Sequence, residues 1–333
     1  MIATTLTLSL ALSKLDLSQM EAEIAANKFP KVTSVLVDQD GTVVYERYFG
    51  EGSGGLLNDS RSVTKTFTAL VAGIAGHEKR IAIETTKVRT TMGVASEDPA
   101  WNDTTVGDLL TMSSPIAADD SDGQSPGNED RMHEHGSWTP FILGLPTKQN
   151  IKRGADSHFP FCYATVNAVL AGQVVQKLVK VPLDTYMTDR LLKPLGIRDR
   201  KYQYSKHGEV MSGGGLRLRT RDLAKIGRLI LDGGKYRKKQ IVPKAWIQKM
   251  LTSHRKDTVM PGVDYGYLVW RIDFGGKGGQ GQAWCMLGNG GNIVAMFPKS
   301  NTVVTITRTD YNSGSTPAET MLLVGQLILP NLK

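Results

Sequence analysis

A serine and a lysine three residues apart, Ser62 and Lys65, are the side chains of this sequence best suited to covalent chemistry. Residues at this spacing lie on one face of a helix, so the hydroxyl and the amine can meet. A serine becomes a good nucleophile only when a base takes its proton. A lysine is such a base near neutral pH only if burial or a neighbouring positive charge depresses its pKa. The pair therefore predicts an acyl-transfer site, with a helix-start serine beside a solvated lysine as the alternative.

The residues around this pair predict the helix that carries it. Apolar residues recur at helical spacing from Val63 to Ile74, and Gly76 stands where the helix would end. Ser62 would then lie in the first turn, where free backbone N–H groups and the helix dipole favour negative charge. The amide of Ser62 is thus a candidate donor to a developing oxyanion.

Two later segments offer groups that complement such a nucleophile. Tyr163 opens another apolar helical run, and a phenol acts as a general base when a nearby cation lowers its pKa. Simple packing at a helix entry is the alternative for this ring. The glycine-rich segment 288–291 precedes a buried strand and would supply a second oxyanion N–H at a strand edge. A glycine bulge at a sheet corner is the alternative there.

In order and spacing, these three segments resemble the serine hydrolases of the β-lactamase and penicillin-binding-protein superfamily. The resemblance is to the class C-like branch, which includes family VIII carboxylesterases, D-alanyl-D-alanine peptidases and nylon-oligomer hydrolases. It covers most of the chain and includes residues 109–114, 125–132 and 213–225.

The resemblance implies a role for each group. Ser62 would be the acylated nucleophile, Lys65 its proton partner, and Tyr163 the base that activates Ser62 and later water. The amides of Ser62 and Asn289 would form the oxyanion hole, with a glycine on either side of Asn289 as the alternative. The residues expected to contact substrate are Thr165, Asn167, Gly288 and Gly290.

The sequence departs from the family pattern at two motifs. Where the second motif is usually Tyr-x-Asn, position 165 is threonine, and Asn167 lies further along the helix, where it would point elsewhere. Where the third motif usually begins with lysine or histidine, this chain has Met286. The cation that grips a substrate carboxylate and the amide that holds an acylamino group are therefore missing. A carboxylesterase acting on a small ester or simple amide is favoured over a β-lactamase or D-Ala-D-Ala peptidase; a non-catalytic binding protein with the same fold is the third hypothesis.

The secondary-structure pattern predicts an α/β (α+β) fold. Strands near both ends should build one antiparallel sheet flanked by helices, with a mostly helical inserted domain. The resemblance implies the β-lactamase/transpeptidase arrangement, with residues 1–80 and 235–333 in the sheet domain and 81–234 in the helical one. The three motifs should meet at the seam. The predicted strands are 32–37, 42–49, 266–272, 283–287, 293–297 and 302–307. The predicted helices include 18–27, which a capping box at Ser18 would open, one capped by Thr220, and 317–329.

Composition is that of an ordinary soluble globular protein, with 40% hydrophobic and 22% charged residues among 333. The formal charge of +8 is spread along the chain without a nucleic-acid-binding signature, and the densest basic cluster, 235–239, predicts a solvated hairpin. No apolar run reaches the ~20 residues of a membrane-spanning helix. We expect a small-molecule substrate, no nucleic acid, no membrane span, and a monomer or homodimer.

Targeting, metal and cofactor signals are weak. Residues 2–12 faintly resemble a signal-peptide core but lack a preceding basic residue and a clear cleavage site, which favours a cytoplasmic location with a periplasmic alternative. His133 and His135, near three aspartates in 119–122, have no clearly spaced third ligand for zinc. We therefore expect no metal and no cofactor, and the two cysteines make no disulfide framework.

Overall fold

The computed structural model describes residues 15–332, so the segment 2–12 lies outside the described residues. The strands are β1 (Val32–Gln39), β2 (Thr42–Tyr48), β3 (Asn58–Asp59), β4 (Arg217–Leu218), β5 (Lys235–Tyr236), β6 (Lys239–Gln240), β7 (Asp264–Tyr265), β8 (Trp270–Asp273), β9 (Gln282–Gly288), β10 (Asn292–Phe297) and β11 (Thr302–Arg308). The α-helices are α1 (Ser18–Ala25), α2 (Thr64–Lys79), α3 (Val88–Met92), α4 (Pro99–Asp103), α5 (Val106–Leu110), α6 (Glu129–Glu134), α7 (Trp138–Leu143), α8 (Thr165–Val179), α9 (Leu183–Met187), α10 (Thr220–Leu231), α11 (Lys244–Met250) and α12 (Thr316–Leu322). The 3₁₀ turns are Arg61–Val63, Ile83–Thr85, Lys193–Leu195, Lys277–Gly279 and Leu329–Asn331, and the π-helical turns are Thr188–Leu192 and Leu323–Ile328.

Seven strands form one sheet in the order β2-β1-β11-β10-β9-β8-β7. Its paired neighbours in β1, β2 and β7 to β11 run antiparallel. The pairing of β1 with β11, with Val35 opposite Ile306, joins the N-terminal and C-terminal parts of the chain. The predicted fold class, an antiparallel sheet built from both ends and flanked by helices, is therefore confirmed.

Helices cover both faces of this sheet, which is why β1, β10 and β11 are buried almost throughout. On one face, Ile293 and Ala295 of β10 share a core with Met20 of α1 and Leu323 after α12. On the other face lies α10, where a Cβ on Gly227 would lie 2.6 Å from a methyl of Val303. Glycine at this position lets the helix approach the sheet closely.

The helix that begins just after Ser62 is longer than predicted. α2 is buried from Thr64 to Gly76, continues to Lys79 and ends with Arg80 in the left-handed conformation at φ 55°. The prediction that Gly76 ends the helix is wrong, because the glycine serves close packing: a Cβ there would lie 3.1 Å from Ile83. On its other side α2 packs along α8.

Three local predictions also need correction. Ser18 is the first residue of α1 rather than its cap, and its N–H binds the Asp16 carboxylate at 3.0 Å. Thr220 is likewise the first residue of α10, and its hydroxyl lies 2.7 Å from that of Ser34. The predicted strand 266–272 is the turn and second strand of the β7–β8 hairpin, with Leu268 at φ 53°.

The other predicted strands lie within one or two residues of the observed ones. The basic cluster 235–239 forms the β5–β6 hairpin, as predicted. The division into two domains stays a prediction, although α10 lies against the sheet while the prediction assigns residues up to 234 to the helical part. Within residues 15–332, no helix is both long and apolar enough to cross a membrane.

Candidate active site

The serine and lysine predicted to interact do so directly. Ser62 lies in the 3₁₀ turn that leads into α2, and the Lys65 Nζ donates a 2.8 Å hydrogen bond to its Oγ. The same Nζ donates to the carbonyl of Gly213 at 2.7 Å. Lys65 is only 1% exposed, so its ammonium group is held by protein atoms rather than by solvent.

The charge state of Lys65 follows from two opposing effects. Burial works to lower its pKa, but electrostatic interactions with Tyr163, Glu129 and Asp120 oppose that effect, and the net result is a raised pKa. A raised pKa favours the ammonium form of this lysine. In that form it is a cation and the hydrogen-bond donor to Ser62 and Gly213.

Tyr163 lies next to this pair. It precedes the N-terminus of α8, and its ring centroid lies 5.1 Å from the Lys65 Nζ. Its ring stacks on Trp270 with 5.5 Å between centroids and meets Tyr265 edge-on at 6.5 Å. The structure thus brings the three predicted catalytic side chains, Ser62, Lys65 and Tyr163, to one place.

The glycine-rich hairpin between β9 and β10 faces the same cleft. Gly288 and Asn289 line the cleft together with Ser62. A Cβ on Gly288 would lie 2.3 Å from the carbonyl oxygen of Ser60, so only glycine allows β9 to approach the turn that carries Ser62 so closely. Gly290 packs against Tyr311, where a Cβ would lie 2.5 Å from a ring carbon.

Hydrogen bonds hold this hairpin in position. The Asn289 amide Nδ2 donates to Asn312 Oδ1 at 2.8 Å, and the Asn312 N–H donates back to Asn289 Oδ1 at 2.8 Å. Asn292 Nδ2 donates to the Asn289 carbonyl at 2.9 Å. The peptide groups flanking Asn289 are therefore fixed beside Ser62.

Thr165 and Asn167, both predicted to contact substrate, are buried inside the protein at 0% and 2% exposure. Thr165 donates from its N–H and its hydroxyl to Asp120 Oδ2, at 2.6 and 2.7 Å. The Asn167 Nδ2 lies 3.6 Å from the Met112 sulfur, because its place in α8 turns it into the core. The structure brings neither side chain to the surface of the cleft.

The cleft, about 620 Å³ in volume, is lined by apolar and by acidic side chains. The apolar side chains include Phe161, Trp270, Leu287, Val259 and Met321. The acidic ones are Asp119, Asp120 and Glu129, and within residues 15–332 no lysine, arginine or histidine lines the cleft. Neither Asp120 nor Glu129 is predicted from the sequence as a site residue, because the aspartates of 119–122 appear there only as weak candidates for metal ligands.

The two half-buried carboxyls beside Lys65 differ electrostatically. Burial raises the pKa of Asp120 above its ordinary value, against the opposing effects of Lys65 and Thr165. Burial also acts to raise the pKa of Glu129, but a hydrogen bond with His133, the charge of Lys65 and the Thr165 hydroxyl lower it to about 2. Glu129 is therefore the more strongly anionic of the two.

The two histidines considered as ligands point to different partners. His133 Nε2 lies 3.5 Å from Glu129 Oε1, whereas the His135 ring stacks on Phe141 at 4.3 Å. In the part of the chain from 15 to 332, no three His, Cys, Asp or Glu side chains are grouped so that they could hold a metal ion.

The sequence model of the family described as Beta-lactamase matches residues 19–325, nearly the whole chain. The chain belongs to the beta-lactamase family. The resemblance stated from its motifs is therefore confirmed. A comparison with curated protein sequences finds no match.

Solved structures similar to this beta-lactamase family protein include several kinds of protein. The octameric penicillin-binding protein homologue from Pyrococcus abyssi is 21% identical with a TM-score of 0.69, over 94% of this chain and 77% of that one. The D-stereospecific amidohydrolase from a Streptomyces species is 19% identical with a TM-score of 0.68, over 93% and 98%. EstCE1, a hydrolase with promiscuous acyltransferase activity, is 14% identical with a TM-score of 0.71, over 95% and 100%. At these identities the likeness shows the fold, and family membership supports a serine hydrolase of the β-lactamase fold.

Proposed function

We propose that this protein hydrolyses small esters or simple amides through an acyl-enzyme, and that it is foremost a carboxylesterase. The observation that carries the proposal is the 2.8 Å hydrogen bond from the buried Lys65 ammonium to Ser62 Oγ, with the Tyr163 ring 5.1 Å from the same nitrogen. A buried cation between a hydroxyl and a phenol has no evident use in a merely structural helix start. It fits a site in which a serine must lose its proton.

In the proposed mechanism, Tyr163 is the base. A phenolate beside an ammonium ion is stabilised by it, and Lys65 supplies that charge. Tyr163 takes the proton of Ser62 as Oγ attacks the substrate carbonyl carbon. The proton then passes to the leaving alcohol or amine, and Tyr163 activates the water that releases the acid from Ser62.

Two backbone N–H groups would hold the oxyanion. The amide of Ser62 lies in the turn that leads into α2, and the amide of Asn289 lies at the hairpin across the cleft. Gly288 remains the alternative second donor because it also lines the cleft, whereas Gly290 packs against Tyr311. Donors fixed in advance stabilise the charge that develops in the transition state.

The charge of the cleft supports an uncharged substrate over a β-lactam or a D-Ala-D-Ala peptide. Such substrates carry a carboxylate, and in residues 15–332 the cleft presents three carboxyl groups and no basic side chain at its surface. Met286 occupies the position where the resemblance would place the gripping cation, and it is 1% exposed.

Hydrolysis of p-nitrophenyl acetate and butyrate tests the proposal. We expect Ser62→Ala to lose about 10³-fold or more in kcat/KM, with large losses for Lys65→Ala and Tyr163→Phe. Tyr204→Phe is the control, because it removes a phenol hydroxyl from an exposed ring whose partner is Asp184. Retention of full activity by Ser62→Ala on every substrate that the parent cleaves would overturn the proposal.

Two further assays separate the rival functions. Nitrocefin turnover faster than ester turnover would indicate a β-lactamase using the same residues. A non-catalytic binding protein would leave Ser62 unlabelled by a fluorophosphonate probe, because unactivated serines react poorly.

A further inference from the structure

Two carboxyl groups that line the cleft share a single hydroxyl near the candidate catalytic residues. The Thr165 Oγ1 lies 2.7 Å from Asp120 Oδ2 and 3.0 Å from Glu129 Oε2. Backbone N–H groups fix the same arrangement: that of Thr165 donates to Asp120 Oδ2 at 2.6 Å, and that of Glu129 donates to Asp120 Oδ1 at 3.1 Å. The two acids are therefore a built pair rather than loose surface charges.

Gly213 contacts both Lys65 and the threonine that bridges this pair. The carbonyl of Gly213 accepts the Lys65 hydrogen bond at 2.7 Å, and a Cβ on Gly213 would lie 2.6 Å from the Thr165 methyl. The Asp120 N–H in turn donates to the carbonyl of Tyr163 at 3.1 Å. Since Lys65 is 1% exposed, solvent ions screen its attraction to the two acids only weakly.

Hydrogen-bond geometry makes the two acids act as one unit. A threonine hydroxyl has one proton, so it can donate to only one of two ionised carboxylates. A proton on one acid completes a chain in which that acid donates to Thr165 and Thr165 donates to the other. The raised pKa of Asp120 and the lowered pKa of Glu129 agree with Asp120 as the acid that is protonated first.

We propose that Asp120 and Glu129, bridged by Thr165, are positioning residues that keep Lys65 protonated and so leave the role of base to Tyr163. The inference rests on the proposed function, in which Lys65 stabilises the Tyr163 phenolate. A lysine buried without neighbouring negative charge tends to lose its proton near neutral pH. Without the pair, burial would act with less opposition, and Lys65 would lose its proton at a lower pH.

A pH–rate profile of kcat/KM with p-nitrophenyl acetate tests this. The titratable groups facing the pair are Lys65 from α2, Tyr163 ahead of α8 and His133 from α6. Removing negative charge favours the Tyr163 phenolate, whose formation gives the acidic limb of the profile. It also favours the neutral Lys65 amine, whose formation gives the alkaline limb. Both limbs should therefore move to lower pH. For Asp120→Asn with Glu129→Gln we expect a displacement of about one pH unit or more.

Three variants show whether charge or structure is responsible. Asp130→Asn removes an exposed carboxylate next to Glu129 and should leave the limbs in place. Thr165→Val, which removes the bridging hydroxyl, should displace the limbs in the same direction by a smaller amount. Thr165→Ser, which restores the hydroxyl, should return the limbs to the parent positions. The inference is overturned if the double variant lowers the maximum of kcat/KM but leaves both limbs at the pH of the parent.

Nuclear magnetic resonance with ¹³C at the lysine Cε measures the titration of Lys65 without any assay of activity. The Lys65→Met variant assigns the signal. The double variant should titrate at a pH lower by about one unit or more than the parent. An unchanged titration overturns the inference even if the enzyme is active. A displaced titration in a protein that hydrolyses no ester supports the inference and counts against the proposed function alone.

Discussion

At the scale of single residues, the backbone of the hairpin between β9 and β10 decides how the oxyanion would be held. Asn289 contributes its side chain to Asn312 and its carbonyl to Asn292, and its amide N–H is the second oxyanion donor that we propose. Gly288 is needed for the close approach to Ser60. Side chain and backbone of Asn289 thus have separate roles that substitutions can distinguish.

We expect Asn289→Pro to lower kcat for p-nitrophenyl acetate by about 10²–10³-fold, because proline has no N–H to donate to the oxyanion. Asn289→Ala keeps the N–H and loses only the bonds to Asn312, so its loss should be much smaller. Equal kcat values for the two variants, with matching thermal unfolding curves, would instead point to Gly288 as the donor.

Residue type and spacing in the sequence predicted Ser62, Lys65 and Tyr163, which the fold brings together. They could be predicted because Ser62 and Lys65 lie at the start of one apolar helical pattern and Tyr163 just before another. Asp120 and Glu129 could not, since they lie 45 and 36 positions from Thr165 in a segment without periodicity. The role that we propose for them depends on tertiary contacts with a threonine at the position where the family pattern has asparagine.

At the scale of elements, α2 positions the nucleophile because it is packed tightly on several sides. Trp246 of α11 lies across it, and the indole Nε1 donates to the Ala69 carbonyl at 2.8 Å. Gly73 makes this contact feasible, as a Cβ there would lie 2.0 Å from the indole Cδ1. The glycine is therefore a packing residue inside a helix.

We expect Gly73→Ala to destabilise the protein by ~1–3 kcal/mol, the usual cost of overpacking a core. The sign of this change in stability is informative, because alanine in place of glycine in a helix ordinarily stabilises by up to ~1 kcal/mol. Chemical unfolding monitored by circular dichroism gives the difference. Gly55→Ala is the control, because a Cβ there meets nothing within 4 Å. A Gly73→Ala variant as stable as the parent would show that Trp246 can move aside.

The pattern of short apolar runs predicted most of the sheet, since strands such as β10 and β11 bury side chains on both faces. It failed at 266–272, where an apolar run contains a turn. Leu268 adopts φ 53° there, and its N–H donates to the Leu110 carbonyl at 2.9 Å. The hydrogen bond to the distant residue Leu110 determines this conformation, and no local sequence pattern indicates it.

At the scale of the whole molecule, the protein and its cleft have opposite electrostatic character. The chain carries a formal charge of +8, while among residues 15–332 the charged side chains that line the cleft are all acidic. Lys65, the nearby cation, is buried and balanced by Asp120 and Glu129. We therefore expect the local field of the cleft, and not the net charge, to select the substrate.

Three thioesters of similar size test this selection through thiol release: acetylthiocholine, its uncharged isostere 3,3-dimethylbutyl thioacetate, and 3-(acetylthio)propanoate. We expect kcat/KM for the anionic thioester to be lower than for the uncharged one by about tenfold or more, equivalent to ~1.4 kcal/mol. The cationic thioester should be at least as good as the uncharged one, and the difference should shrink as salt screens the exposed carboxylates. A preference for the anionic thioester would mean that a cation reaches the part of the cleft that holds the leaving group, and would return the β-lactamase and peptidase hypotheses to first place.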